Sequence, residues 1–143
     1  MWYTFLMRTV LIIDDEPVAG RHLARALQDK GFKTNSVLTG EEGTEAYRLQ
    51  KYDFVLLDLF LPKKNGLDIL AEIKELDKAA RVLMITGETR ADIFQKAKDG
   101  GAAGYVMKPL SVERLSYLAD CLAGWEEKDD ENFFIIGGKP TED

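Results

Sequence analysis

Val10-Leu11-Ile12-Ile13-Asp14-Asp15-Glu16 and Phe54-Val55-Leu56-Leu57-Asp58 are two apolar runs, each broken by acid. Short continuous apolar runs of this kind read as strands buried on both faces of a parallel sheet. If the two are parallel neighbours, their carboxyl ends lie side by side. The carboxylates of Asp14, Asp15 and Asp58 then converge in one pocket. Like charges that close raise one another's pKa unless a cation joins them. Hard oxygen donors make that cation a divalent metal and point to Mg²⁺.

Outward from these runs, strand-like and helix-like segments alternate five times. Strands are expected at Thr9–Ile13, Phe32–Val37, Asp53–Leu57, Arg81–Ile85 and Ala103–Met107. The second is mostly polar and belongs at a sheet edge, whereas the others carry the apolar runs of buried strands. Pro17 suits the first turn of a helix, where its missing N–H costs nothing. Thr39-Gly40-Glu41-Glu42 has capping-box spacing, and Asn65, Thr89 and Ser111 are N-cap residues for three further helices. Leu67, Leu70, Ile73 and Leu76 recur at helical spacing after Asn65, and Leu115, Leu118, Ala119 and Leu122 do so after Ser111. Ile93, Phe94 and Ala97 give the fourth helix its apolar face before Gly100-Gly101. Five βα units with such crossovers build an α/β, doubly wound, parallel five-stranded sheet of flavodoxin-like order 2-1-3-4-5. That order places the two acidic strand ends together at the switch point, where such folds bind ligands.

The chain has 143 residues, enough for one domain with a substantial core. Cys121 is the only cysteine, so no internal disulfide forms, which favours a reducing cytoplasm. It reads as a packing residue. The apolar opening Met1-Trp2-Tyr3-Thr4-Phe5-Leu6-Met7 is too short for a signal-peptide core, and Met7 is a candidate internal start. Of the net charge of −6, residues 124–143 carry −5. A basic footprint is absent, so no nucleic-acid partner is expected, and no run is long enough to span a membrane. His22, the only histidine, reads as a surface residue of the first helix.

Two more strand ends deliver polar groups to the same crevice: Thr86-Gly87 after the fourth strand and Lys108-Pro109 after the fifth. Carboxylates, a hydroxyl donor and an ammonium together suit a phosphoryl group, with Asp58 as the nucleophile that makes an acyl phosphate. In this set the chain resembles the receiver domain of two-component response regulators. The resemblance runs from about Thr9 to Ala123 and rests on Asp14-Asp15, Asp58, Thr86, Lys108-Pro109, Tyr105 and the Pro62…Gly66 loop. It divides the chain into an N-terminal extension (1–8), a receiver domain (9–123) and an acidic tail with an apolar block (124–143).

The resemblance implies that Asp58 accepts a phosphoryl group from a histidine kinase or a histidine phosphotransfer protein. Asp15 would bind Mg²⁺ directly, Asp14 largely through water, and the backbone carbonyl of Phe60 would complete the protein's share of the shell. Lys108, aimed by a cis bond to Pro109, would pair with the phosphoryl oxygens. Thr86 and Tyr105 would form the switch, while Phe60 and Glu88 would tune the attack of water. The domain would promote only its own Mg²⁺-dependent phosphorylation and dephosphorylation, and so is not an enzyme in the usual sense. The first helix would meet the phosphodonor, and the face of the fourth helix, fifth strand and fifth helix would meet a target or a second copy.

Nothing after the fifth helix is long enough for an output domain, so a stand-alone cytoplasmic receiver is expected, signalling by partner binding or relay. The alternative is a phosphorylation-independent interaction module on the same fold. A flavin carrier would need a phosphate-cradling loop where Asp14-Asp15-Glu16-Pro17 stands. A phosphatase would need a second acid two residues past Asp58, where Phe60 stands. In the tail, Phe133-Phe134-Ile135-Ile136 is expected to dock on the domain or on a partner, as an added strand, rather than lie in water.

Overall fold

The computed structural model describes residues 8–142. Met7 and all but the last residue of the expected N-terminal extension lie outside the described residues. The elements alternate as β1 (Thr9–Ile13), α1 (Pro17–Gln28), β2 (Lys33–Val37), α2 (Gly40–Leu49), β3 (Phe54–Asp58), α3 (Gly66–Leu76), β4 (Val82–Thr86), α4 (Ala91–Asp99), β5 (Gly104–Met107) and α5 (Val112–Ala123). A 3₁₀ turn, Glu127–Glu131, then leads to β6 (Phe134–Ile136). All neighbouring strands are parallel, in the order β2-β1-β3-β4-β5-β6. The doubly wound order is the expected one, but the sheet has six strands rather than five. Among the described residues no helix is long and apolar enough to cross a membrane.

Alternation along the strands divides the core between the two faces of the sheet. Leu11, Ile13, Val55, Leu57, Val82, Met84 and Tyr105 pack with Ile69, Leu70 and Ile73 of α3 and with Phe94 and Ala97 of α4. Val10, Ile12, Phe54, Leu56, Leu83, Ile85 and Val106 pack with Leu23 and Leu27 of α1 and with Leu118 and Leu122 of α5. Each fully buried aliphatic side chain contributes about 1.5–3 kcal/mol relative to exposure.

Most helix starts follow the sequence. Pro17 opens α1, and the side chains of Thr39, Asn65 and Ser111 accept from the N–H groups of Glu42, Asp68 and Arg114. Thr89 does not cap α4. The N-cap is Arg90 and makes no side-chain cap. The Thr89 hydroxyl is bonded to the Glu142 carboxylate instead, and the Glu142 carbonyl accepts from Ala91 N–H at 2.6 Å. A distant segment thus fills a role that local sequence assigned to one residue. On α3 the buried stripe is Ile69, Leu70 and Ile73, with Leu76 left exposed at the helix end. Phe32 is buried but precedes β2, because its N–H closes the end of α1 on the Leu27 carbonyl.

The tail is built onto the domain. Trp125 is buried and packs edge-on against Phe54 and Phe134, with ring centroids 5.5 and 5.8 Å away. Its indole N–H donates to Asp130, whose carboxylate also receives both arms of Arg81, at 2.7 and 3.0 Å. β6 then runs in register with β5, pairing Phe134 with Gly104, Tyr105 with Ile135 and Val106 with Ile136. Gly104 permits this approach, since a Cβ there would lie 2.5 Å from the Phe134 carbonyl oxygen.

Candidate functional site

β1 and β3 are parallel neighbours with Ile13 opposite Leu57, so Asp14 and Asp58 both follow one register pair. Their backbones turn the carboxylates in the same way. Asp14 Oδ1 accepts from Glu16 N–H at 2.9 Å, and Asp58 Oδ1 accepts from Phe60 N–H at 3.1 Å. In both, Oδ2 is the oxygen nearest the Lys108 ammonium, 3.5 Å away from each. That is a loose ion-pair distance rather than a tight hydrogen bond. Asp14 and Asp58 are buried, Asp15 is exposed, and Lys108 lies between these extremes.

One oxygen from each of Asp14, Asp15 and Asp58 lies within 4.8 Å of the others, so these three residues can hold a metal ion. The donor set is all carboxylate and fits a hard divalent cation. Burial, together with the negative charge of Asp14 and Asp15, pushes the Asp58 carboxyl up to about 6 against the pull of Lys108 and the Phe60 N–H. Burial also works against the Lys108 ammonium. Asp58 and Asp14 outweigh it and hold Lys108 above the ordinary lysine value. A single ammonium under-compensates three carboxylates, so the pocket favours a further cation.

Thr86 is the last residue of β4, fully buried, and its hydroxyl accepts from Glu88 N–H at 3.0 Å. Tyr105 is fully buried in β5 beneath Phe94, and its hydroxyl donates to the Glu88 carbonyl at 3.2 Å. Burial and then the Glu88 carboxylate push that phenol up to about 12. The Glu88 carboxylate pairs with Arg90 at 3.3 Å. The Phe60 ring is 60% exposed, free to meet solvent or a partner beside the pocket. The Lys108–Pro109 peptide is cis.

Sequence reasoning missed two features. A cavity of about 160 Å³ beside the carboxylates is lined by Asp14, Glu16, His22, Lys108, Leu110 and Leu115. Acid spacing on one strand end gave no hint of it, because α1 and α5 close it against the loops that follow β1 and β5. The link from Glu142 to Thr89 joins residues 53 apart and leaves no periodic trace.

The chain belongs to the response regulator receiver domain family, whose pattern it matches over residues 10–120. It is a receiver domain with an acidic pocket formed by Asp14, Asp15, Asp58 and Lys108, and not a conventional enzyme. Among curated proteins, it is similar to the transcriptional regulatory protein PdtaR of Mycobacterium tuberculosis (strain ATCC 25618 / H37Rv). The two are 32% identical over 109 residues, which is 76% of this chain and 53% of PdtaR. The chain spans about half the length of the curated relatives it matches.

Two solved structures are close in fold. One is a chain of the CheX–CheY–BeF3–Mg²⁺ complex from Borrelia burgdorferi, with TM-score 0.79 and 27% identity, covering 88% of this chain and 96% of that one. The other is a Burkholderia pseudomallei response regulator with a phosphorylated aspartic acid, a calcium ion and citrate. Its TM-score is 0.73 and its identity 29%, over 87% of this chain and 69% of that one.

Proposed function

We propose that Asp58 is the phosphoacceptor of a two-component phosphorelay. An Asp58 carboxylate oxygen attacks the phosphorus of a phosphohistidine on a histidine kinase or phosphotransfer protein. The bond from phosphorus to the histidine nitrogen breaks, and an acyl phosphate remains on Asp58. The single observation that supports this most directly is the buried Asp58 carboxylate, 3.5 Å from Lys108 and clustered with Asp14 and Asp15. Lys108 would neutralise phosphoryl oxygens as charge moves onto them, and the Thr86 hydroxyl would donate to another.

Asp14, Asp15, Asp58 and the Phe60 carbonyl would hold Mg²⁺, which when bound supplies positive charge to the transferring phosphoryl group and lowers the Asp58 pKa. Phe60 and Glu88 would set how readily water attacks the acyl phosphate, with a bulky Phe60 slowing it. Thr86 and Tyr105 would carry the state of the pocket to the surface of α4, β5 and α5. There a downstream target or a second copy would bind in the cytoplasm, or the phosphoryl group would pass to the next histidine.

Intact mass after incubation with acetyl phosphate, with and without Mg²⁺, tests the reading. A phosphoryl adduct that needs Mg²⁺ and vanishes in Asp58→Asn is the expected result. Its absence would leave a phosphorylation-independent interaction module on the receiver fold.

A further inference from the structure

We infer that the edge of β5 and the start of α4 form a docking surface for this chain's own segment 132–142. We further infer that docking there and phosphoryl binding at Asp58 favour each other; this coupling rests on the function proposed above.

The surface is fitted to its occupant. Ile136 and Pro140 are buried, and Phe133 stacks edge-on against Phe94 at 5.3 Å. Lys139 lies over the Phe94 ring at 5.7 Å, and Lys98 of α4 lies over the Phe133 ring at the same distance. Phe94 in turn stacks on Tyr105, with centroids 5.1 Å apart. The tail therefore completes a three-ring stack of Phe133, Phe94 and the buried Tyr105, while β6 pairs with the tyrosine's backbone.

The far end of the tail seizes the loop that leaves the acidic pocket. Glu142 N–H donates to the Thr89 carbonyl at 3.2 Å, its carboxylate accepts from the Thr89 hydroxyl, and its carbonyl caps Ala91 N–H. Immediately before Thr89, Glu88 is held from both sides, its N–H by the Thr86 hydroxyl and its carbonyl by Tyr105. The loop from Thr86 to Ala91 is thus a shared element, bound by the pocket strand at one end and by the tail at the other.

The sign of the coupling follows from hydroxyl chemistry. Thr86 uses its oxygen as an acceptor for Glu88 N–H, which leaves the hydroxyl proton free to donate to a phosphoryl oxygen. Bracing the loop therefore presents Thr86 for that bond rather than withdrawing it. By reciprocity, a phosphoryl group that holds Thr86 must tighten the tail by the same factor. A target that reads the β5 edge as an added strand would have to displace this segment first.

Amide exchange of the full chain, with and without Mg²⁺ and beryllofluoride, tests the inference alongside acetyl phosphate labelling of two variants. Beryllofluoride should slow exchange at 134–136 and at Glu142 by about fivefold, a modest coupling. Ile136→Asp, which unseats β6, should lower the rate of adduct formation by about fivefold, and Glu142→Gln by about twofold. Glu142→Gln alters an exposed end of the chain and keeps the test decisive if Ile136→Asp fails to fold.

An adduct on the unaltered protein, with tail exchange unchanged or faster and with Glu142→Gln labelling normally, would overturn the coupling and leave the receiver reading intact. No adduct on the unaltered protein, and no protection near Asp58, would overturn both.

Discussion

Asp58 is kept partly protonated near neutral pH by its surroundings, and this has a measurable cost. Its folded pKa of about 6 lies above the unassociated value of 3.8, so the folded protein holds the proton more tightly than the unfolded chain. The associated stability is full below about pH 4 and is lost as pH rises through 6. In metal-free buffer, Asp58→Asn should therefore stabilise the protein by about 1–3 kcal/mol at pH 8 and by little at pH 4. Urea unfolding at the two pH values measures this; equal effects at both would remove the electrostatic account.

Lys108 acts on the same groups from the other side. Lys108→Met should raise the Asp58 pKa further, which NMR titration of the carboxyl carbon would follow. It should also slow labelling by acetyl phosphate at least tenfold, because the phosphoryl oxygens lose their fixed ammonium. The carboxylates, the lysine and the threonine were legible as residues because each ends an apolar run. The Asp58 pKa was not, since burial and neighbouring charge act through space.

Among the elements, helix starts divide into local and tertiary cases. Asn65 and Ser111 cap α3 and α5 through their own side chains, so Asn65→Ala and Ser111→Ala should each cost about 1 kcal/mol in unfolding free energy. The start of α4 depends on Glu142, so propensity at Thr89 misled where capping-box spacing at Thr39 did not.

The joint between β3 and α3 is tighter still. Gly66 N–H donates to the Leu59 carbonyl at 2.7 Å, and a Cβ on Gly66 would stand 2.5 Å from the Asp58 carbonyl oxygen and 2.8 Å from Leu59 Cα. Both neighbours are backbone and cannot swing aside. Gly66→Ala should cost about 1–3 kcal/mol and disturb the Asp58 turn, which thermal unfolding and Mg²⁺ titration would register together. A melting point unchanged within error would show that the joint has more slack than this geometry allows.

At the scale of the molecule, one sheet brings the acidic pocket and the docked tail onto a common frame. Gly104→Val would set a side chain against the Phe134 carbonyl and should release β6, seen as fast amide exchange at 134–136 with β1 to β4 still protected. Continued protection of β6 would mean that the sheet adjusts around the new side chain. Alternation of βα units, the apolar runs and their acidic ends by themselves determined the doubly wound fold and the strand order, because burial on both faces and right-handed crossovers leave few other arrangements. They also determined which residues meet at the switch point.

Tertiary structure alone decided the sixth strand's partner, the cap on α4 and the path from Glu142 through Thr89 and Glu88 to Thr86. An apolar block such as Phe133–Ile136 advertises that it will be buried, but burial is non-directional. Only the shape at Gly104, the Phe94 ring and the open N–H of Ala91 select where it lies.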